Sequence, residues 1–385
     1  MITPDLQKAT GLDPDMPSKQ SLKVTDQIEQ FLINGRWIAG DVLGSETELA
    51  VEYGTTPQVM RQAFRVLEWR GLGRTRRGAA GGFMVQHPPL AVTGQRLMAF
   101  HLMAHGVCQD DVRAARTRLL ARLPSNRPDL AASRSFVVNL FDHIEGAWDD
   151  RPSLPNTENR AQRIAQQILR HRGKGGSEWC TVDDLINRFS ACRAIIVQAL
   201  RILESLGFAV GVRGRSGGFR LVSPHPVTLV RATLSHFVAQ GIDIDICDQL
   251  VTAVNQVNIS TASLTTSDAT TLRLLASRVQ VRDIARGDFC GAVALMRHIA
   301  DCAGNHVLHM LVRCLWCYWY HCVTSDPATP LTLPVSLVSQ QVVMAQNMVQ
   351  AMLDGRPEQA AAALDGYGLV ARSIQQTIRG VRASC

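Results

Sequence analysis

QAFRVLEWRG, Gln62 to Gly71, comes back 136 residues later as QALRILESLG, Gln198 to Gly207. Both copies run without a gap into a glycine-rich segment ending in Gly-Gly-Phe, Gly81-Gly82-Phe83 and Gly217-Gly218-Phe219. Each then meets a proline at the same offset, Pro88 and Pro224. Self-similarity at so long a period means two copies of a domain, not a solenoid of short repeats. The chain reads as a tandem duplication.

Upstream of the first copy, Val24, Ile28, Phe31 and Leu32 recur at helical spacing, and Asn34-Gly35 should end that helix. Ser45 and Glu48 form a capping-box pair at the start of a second helix, which stops at Gly54. Thr56 and Pro57 offer an N-cap and a first-turn proline for a third. Met60, Ala63, Phe64 and Leu67 lie on its inner side, and Gln58, Arg61, Gln62 and Arg65 face out. Gly73 to Arg77 and Phe83 to Val85 flank a glycine turn, which is a β-hairpin. Three helices and a hairpin make a winged helix-turn-helix. The second copy repeats the order: a helix with Ile164, Ala165, Ile168 and Leu169, one capped by Thr181, one burying Ile196, Ala199, Leu200 and Leu203, and a wing from Val210 to Val222. The expected fold is therefore mainly α, with two winged helix-turn-helix domains, each of three helices plus a β-hairpin wing, and an all-α C-terminal bundle.

Five segments follow: a loose arm at 1–20, the first winged helix at 21–90, a helical connector and linker at 91–155, the second winged helix at 156–226, and an all-helical effector or dimerisation domain at 227–385. The connector reads as helices at Leu97–His105, Asp110–Leu123 and Phe136–Trp148, closed by the polar stretch RPSLPNTEN, Arg151 to Asn159. QRLMAFHLMAHGVCQDDV after the first wing is echoed by VRATLSHFVAQGIDIDIC after the second, so the connector reads as a truncated copy of the effector-type domain.

Composition bounds the function. A chain of 385 residues with 46% hydrophobic and 19% charged residues can bury sizeable cores. The N-terminus has no apolar leader, and the apolar run Val307 to Val323 is interrupted by Arg313, Tyr318, Tyr320 and His321. Ten cysteines without regular spacing read as reduced thiols in a cytoplasmic protein, with no membrane partner. A net charge of +7 fits a polyanion, and the basic residues are arginines apart from Lys8, Lys19, Lys23 and Lys174. Arginine can grip phosphate or guanine with two parallel hydrogen bonds, although a genome that favours arginine codons would give the same bias. No Walker loop, nucleophile elbow or paired-carboxylate motif is present, so an enzyme is not expected.

The order Gly35-Arg36-x-x-x-Gly40-Asp41, Ser45-Glu-x-Glu-Leu-Ala50, Gly54, x-x-Arg61-Gln-Ala-x-x-x-Leu-Glu-x-x-Gly71, Gly81-Gly82-Phe83 resembles the N-terminal DNA-binding domain of GntR-family bacterial repressors. The resemblance covers 22–88 and, less fully, 158–224. Arg297 to Leu315 and Ala351 to Leu364 are similar to the helical (FCD-type) effector domain of the FadR-like branch. Many members hold a metal there. The corresponding positions are Ala294, His298, Ala345 and Tyr367, so the resemblance implies a lost metal site and no cofactor. The lysine positions also exclude the pyridoxal-phosphate domain fused to some GntR relatives.

The resemblance implies double-stranded DNA as partner, a small-molecule effector, and either two heads in one chain or a homodimer with four. In the first copy Arg36, Thr56, Gln58, Arg61, Gln62 and Arg65 would contact DNA, with Arg74, Arg76, Arg77 and Gly81 in the wing. In the second they are Arg193, Gln198 and Arg201, with Arg213, Arg215 and Gly217 in the wing. Relatives carry an arginine at the start of the recognition helix and another four residues on. The first copy has Pro57 and Arg61, the second Arg193 and Val197, so each head lacks one contact. His298, Asn305, Trp316, Trp319, Tyr320 and Tyr367 are the candidate effector-pocket residues. Cys314, Cys317 and His321 share one helical face and could hold a soft metal, or simply be core. His298 beside Asp301 reads as a satisfied core histidine. A protein-interaction module with degenerate heads, or a metal- or thiol-responsive sensor, are the rival functions.

Overall fold

The computed structural model describes residues 20–35, 37–76, 78, 81–146, 160–172, 179–212, 218–222, 225–324 and 333–364. The N-terminal arm, the 151–159 linker, the turn of the second wing, Trp148, Arg36, Arg77, Arg213, Arg215, Gly217, Pro224 and Tyr367 lie outside the described residues. Residues 15–109 with 140–240 form one compact unit, and residues 110–139 with 241–385 belong to another.

The first unit opens with α1 (Gln20–Gly35), α2 (Glu46–Glu52), α3 (Pro57–Trp69), β1 (Gly73–Arg76), β2 (Gly82–Val85) and α4 (Leu90–His105). Local chemistry sets each boundary. The Ser45 hydroxyl accepts from Glu48 N–H while the Glu48 carboxylate accepts from Ser45 N–H, the two halves of a capping box. Thr56 caps α3 by accepting from Val59 N–H, with Pro57 behind it. Val24, Ile28, Met60, Phe64, Leu67 and Phe83 close one core, with the Phe64 and Phe83 ring centroids 5.1 Å apart. Phe31, grouped by spacing with Val24 and Ile28, instead stands 57% exposed, because that spacing admits a face wider than the one α3 covers. β1 and β2 pair antiparallel from Gly73–Val85 to Arg76–Gly82, and Val42 bridges to Met84 on the outer edge of β2.

After α5 (Gln109–Ala121) and α6 (Ala131–Gly146) the same order of elements returns: α7 (Arg160–Arg172), β3 (Trp179–Cys180), α8 (Val182–Phe189), α9 (Arg193–Ser205), β4 (Ala209–Val212), β5 (Gly218–Leu221) and α10 (Pro226–Gln240). The sheet order is β3-β5-β4. Ile164, Ile168, Ile196, Leu200 and Leu203 close a second core, into which Trp69 of α3 and Ala99 of α4 also pack. α4 starts at Leu90, seven residues before the helix read from periodicity, and runs through Gly94. A Cβ there would lie 2.9 Å from His143 Cβ, so the glycine that interrupts the apolar pattern marks a close helix approach.

Packing between the segments is reciprocal. α1 lies against α10, α7 against α4, α4 against α10, and α3 against α9.

The other unit contains α11 (Ile244–Thr261), α12 (Thr266–Ser277), α13 (Val281–Ala285), α14 (Cys290–Cys302), α15 (His306–Thr324) and α16 (Val335–Leu353). α11 and α15 form its central pair, flanked by α14. No described helix is long and apolar enough to cross a membrane.

Candidate nucleic-acid interface

α3 is amphipathic by sequence: its inner residues fill the first core, and Thr56, Gln58, Arg61, Gln62 and Arg65 are exposed. Two of these are already engaged. The Thr56 hydroxyl is the N-cap acceptor, and the Arg61 guanidinium donates to Glu46 Oε2 at 2.8 Å on the surface. The hydrogen bond from Arg61, with the charge of Glu46 beside it, raises the guanidinium pKa, so Arg61 is a fixed cation held at the α2–α3 junction. Arg74 and Arg76 project from β1, and Gly81 immediately precedes β2.

On α9 the exposed Arg193 is paired with Asp183 at 3.2 Å, Arg201 is exposed, and Gln198 is half-buried. The tertiary structure brings the two polar faces together. Gln62, Arg65 and Trp69 of α3 and Arg193, Val197, Gln198, Arg201 and Glu204 of α9 line one cleft of about 1010 Å³. Sequence reading missed Trp69 and Glu204 here. Trp69 falls one helical turn after Arg65, which was the available signal.

The acids beside these helices have a structural task. Glu68 Oε1 accepts from Thr75 N–H (2.6 Å), and Glu204 Oε1 accepts from Gly211 N–H (3.3 Å), each tying a hairpin strand to the helix before it. Gly71 and Gly207 take φ of +75° and +80°, where a side chain would be strained. Their N–H groups donate to Glu68 O and Glu204 O at the helix ends.

In the other unit, the residues read as pocket-forming separate. Trp316, Trp319 and Tyr320 line a cavity of about 150 Å³ together with Phe289, Met348 and Asn255. Phe289 and Trp319 meet edge to face at 5.0 Å. Asn255 is 5% exposed, and its Oδ1 has no hydrogen-bond partner among the described residues. The signal for it was a run of amides, Asn255, Gln256 and Asn258, set among the apolar Ala253, Val254, Val257 and Ile259. His298 and Asn305 do not line this cavity. Asn305 Oδ1 instead accepts from Leu308 N–H at the start of α15. His298 faces Asp268 with 22% of its side chain exposed, and Asp301 pairs with His309 at 3.2 Å. Cys314 and Cys317 are fully buried and His321 is half-buried. Burial pushes the Cys317 thiol far up and the His321 imidazole down to about 4. Among the described residues these three form no ligand cluster, because the helix turns both thiols into the apolar core.

Residues 20–82 match the family described as bacterial regulatory proteins, gntR family. They are a GntR-family DNA-binding domain. Within that stretch fall Thr56, Gln58, Arg61, Gln62, Arg65, Arg74, Arg76 and Gly81, with α3 as its third helix and β1 after it, and β2 begins at its last residue. A GntR protein of Streptococcus agalactiae is similar in structure over 55% of this chain and 99% of its own, at 14% identity and a TM-score of 0.41. Among curated proteins none matches this chain.

Proposed function

We propose that this chain is a transcription regulator that binds duplex DNA with two winged-helix heads, 21–90 and 156–226, and answers to a small effector held in its C-terminal helices. The observation that carries the reading is the convergence of two exposed, arginine-bearing helix faces, α3 of the GntR-family domain and α9, on a single cleft. Such a helix fits the major groove, where arginine and glutamine can address base edges. The second head is supported by its matching element order and by the equivalent Glu68–Thr75 and Glu204–Gly211 hydrogen bonds. The reciprocal packing pairs are those that a twofold axis would relate, so one chain supplies what a symmetric homodimer otherwise provides. Arg61 and Arg193 would exchange their exposed carboxylate partners for phosphate or base.

The 150 Å³ cavity suits a ligand about the size of a single aromatic ring, since a cavity of that volume holds benzene. A hydrogen-bond donor on the ligand would satisfy Asn255 Oδ1, whose buried isolation costs about 1–3 kcal/mol. An effector that favours one conformation shifts the population and with it the DNA affinity. We place this activity in the cytoplasm, at the nucleoid.

The test is to select genomic fragments on the purified protein and titrate the retained duplex at rising salt. Affinity should fall steeply with salt, and Arg65→Ala should weaken it while reducing the log–log slope by about one. If no fragment is retained at low salt, the regulator reading is wrong.

A further inference from the structure

α12 and α14 pack side by side, and Ser263 N–H donates to Cys302 O at 3.1 Å, which pins the turn before α12 to the last residue of α14. Three side chains of different donor chemistry meet at this junction. His298 Nε2 lies 3.5 Å from Asp268 Oδ1 and 3.8 Å from Cys302 Sγ. One ligand atom from each of the three residues falls within 4.8 Å of the others. His298 and Cys302 are one helical turn apart on α14, a spacing that puts both on the same face. Asp268 comes from the first turn of α12, where its Oδ2 accepts from Thr265 N–H (2.9 Å) and Thr265 Oγ1 (2.6 Å). That double hydrogen bond fixes the carboxylate and turns Oδ1 toward His298.

We propose that Asp268 Oδ1, His298 Nε2 and Cys302 Sγ form a site for a divalent cation of the zinc class, with the fourth position open to water or an external ligand. Zinc binds sulfur at about 2.3 Å and nitrogen or oxygen at about 2.0–2.2 Å, so tetrahedral donors stand about 3.3–3.6 Å apart. The observed separations of 3.5 and 3.8 Å need only a few tenths of an ångström of adjustment. A thiolate beside an imidazole selects zinc, cobalt or nickel over magnesium and calcium, which favour all-oxygen shells. On binding, the Cys302 thiol gives its proton to solvent, and the two anionic ligands balance the charge of the cation. His298 and Asp268 keep 22% and 25% of their side-chain surface, which leaves an entry path. Thr265 acts as the outer group that orients the carboxylate. Of these ligands only His298 falls among the four positions at which relatives hold a metal. The other face of α14 presents Val293 and Met296 to the cavity, so the cation would brace one wall of the proposed effector site.

The experiment is an anaerobic titration of reduced, chelator-treated full-length protein with cobalt(II). One equivalent should produce a thiolate-to-cobalt charge-transfer band and the intense visible bands of four-coordinate cobalt, all displaced by zinc. These should vanish in Cys302→Ser and persist in Cys192→Ser, which removes an exposed thiol elsewhere. Asp268→Asn preserves shape and an acceptor for the cap, so it should keep the band while weakening cobalt binding at least about tenfold. Zinc should raise the Tm of the parent protein and not of Cys302→Ser. Absence of the charge-transfer band at one equivalent, its survival in Cys302→Ser, or unchanged affinity in Asp268→Asn would each overturn the assignment.

Discussion

At the scale of single residues, the most consequential group outside the two candidate sites is the buried charge cluster of the first unit. Arg70 donates to Asp26 (2.7 Å) and Glu29 (2.6 Å), Arg231 of α10 also pairs with Asp26, and Ser235 donates to Glu29 at 2.6 Å. Burial alone would raise the Asp26 carboxyl, but the guanidinium groups of Arg70 and Arg231 outweigh it and hold the pKa below the ordinary range. Glu29 is 1% exposed, so Glu29→Ala strands much of the Arg70 charge away from water. We expect a loss of about 3–5 kcal/mol in urea unfolding. The positions 136 residues on hold Ala165 and Leu206 in place of Glu29 and Arg70, an apolar solution to the same packing problem. Glu29→Ala/Arg70→Leu should therefore recover most of the stability. A double variant no more stable than the single one would show that the cluster is more than a packing alternative.

At the scale of elements, the two hairpins show how one methyl group redirects an aromatic ring. A Cβ on Gly73 would lie 2.3 Å from Met84 O and 2.5 Å from the Phe83 ring. With glycine there, Phe83 is completely buried. The equivalent position in the second hairpin is Ala209, and there Phe219 is only partly buried against its core. Gly73→Ala should push Phe83 outward and cost about 1–3 kcal/mol, read as a lower urea midpoint with little change in m-value. Helix starts were legible because capping is local: Ser45 with Glu48, Thr56 with Pro57, and Thr181 all cap where their residue types place them. The reason for a glycine within α4 was hidden, because the group that crowds Gly94 is His143, a residue far along the chain.

At the scale of the whole molecule, the proposed function depends on how the segments are assembled within the first unit. α3 and α9 face a common cleft, and Val197 stands on its wall, at the position where the GntR resemblance leads one to expect a second arginine. Val197→Arg should tighten binding to a selected duplex about tenfold if α9 touches DNA, since a specific contact is worth about 1–3 kcal/mol. Unchanged affinity in a titration at fixed salt would assign recognition to α3 alone. The candidate site was half legible in this sense. Gln62, Arg65, Gln198 and Arg201 announce themselves as polar residues on otherwise apolar helices, whereas their shared cleft has no local signal.

The sequence by itself determined the helical register, the caps, the glycines at +75° and +80°, and the GntR-type order of elements, because each depends on residues within a turn or two of one another. Only the tertiary structure decided the partners. It crossed α1 with α10 and α7 with α4, and it buried Cys314 and Cys317 in a core instead of at a ligand site. It also turned His298 toward Asp268 on another helix. Those outcomes depend on which apolar faces find one another across long stretches of chain, and no local spacing encodes that choice.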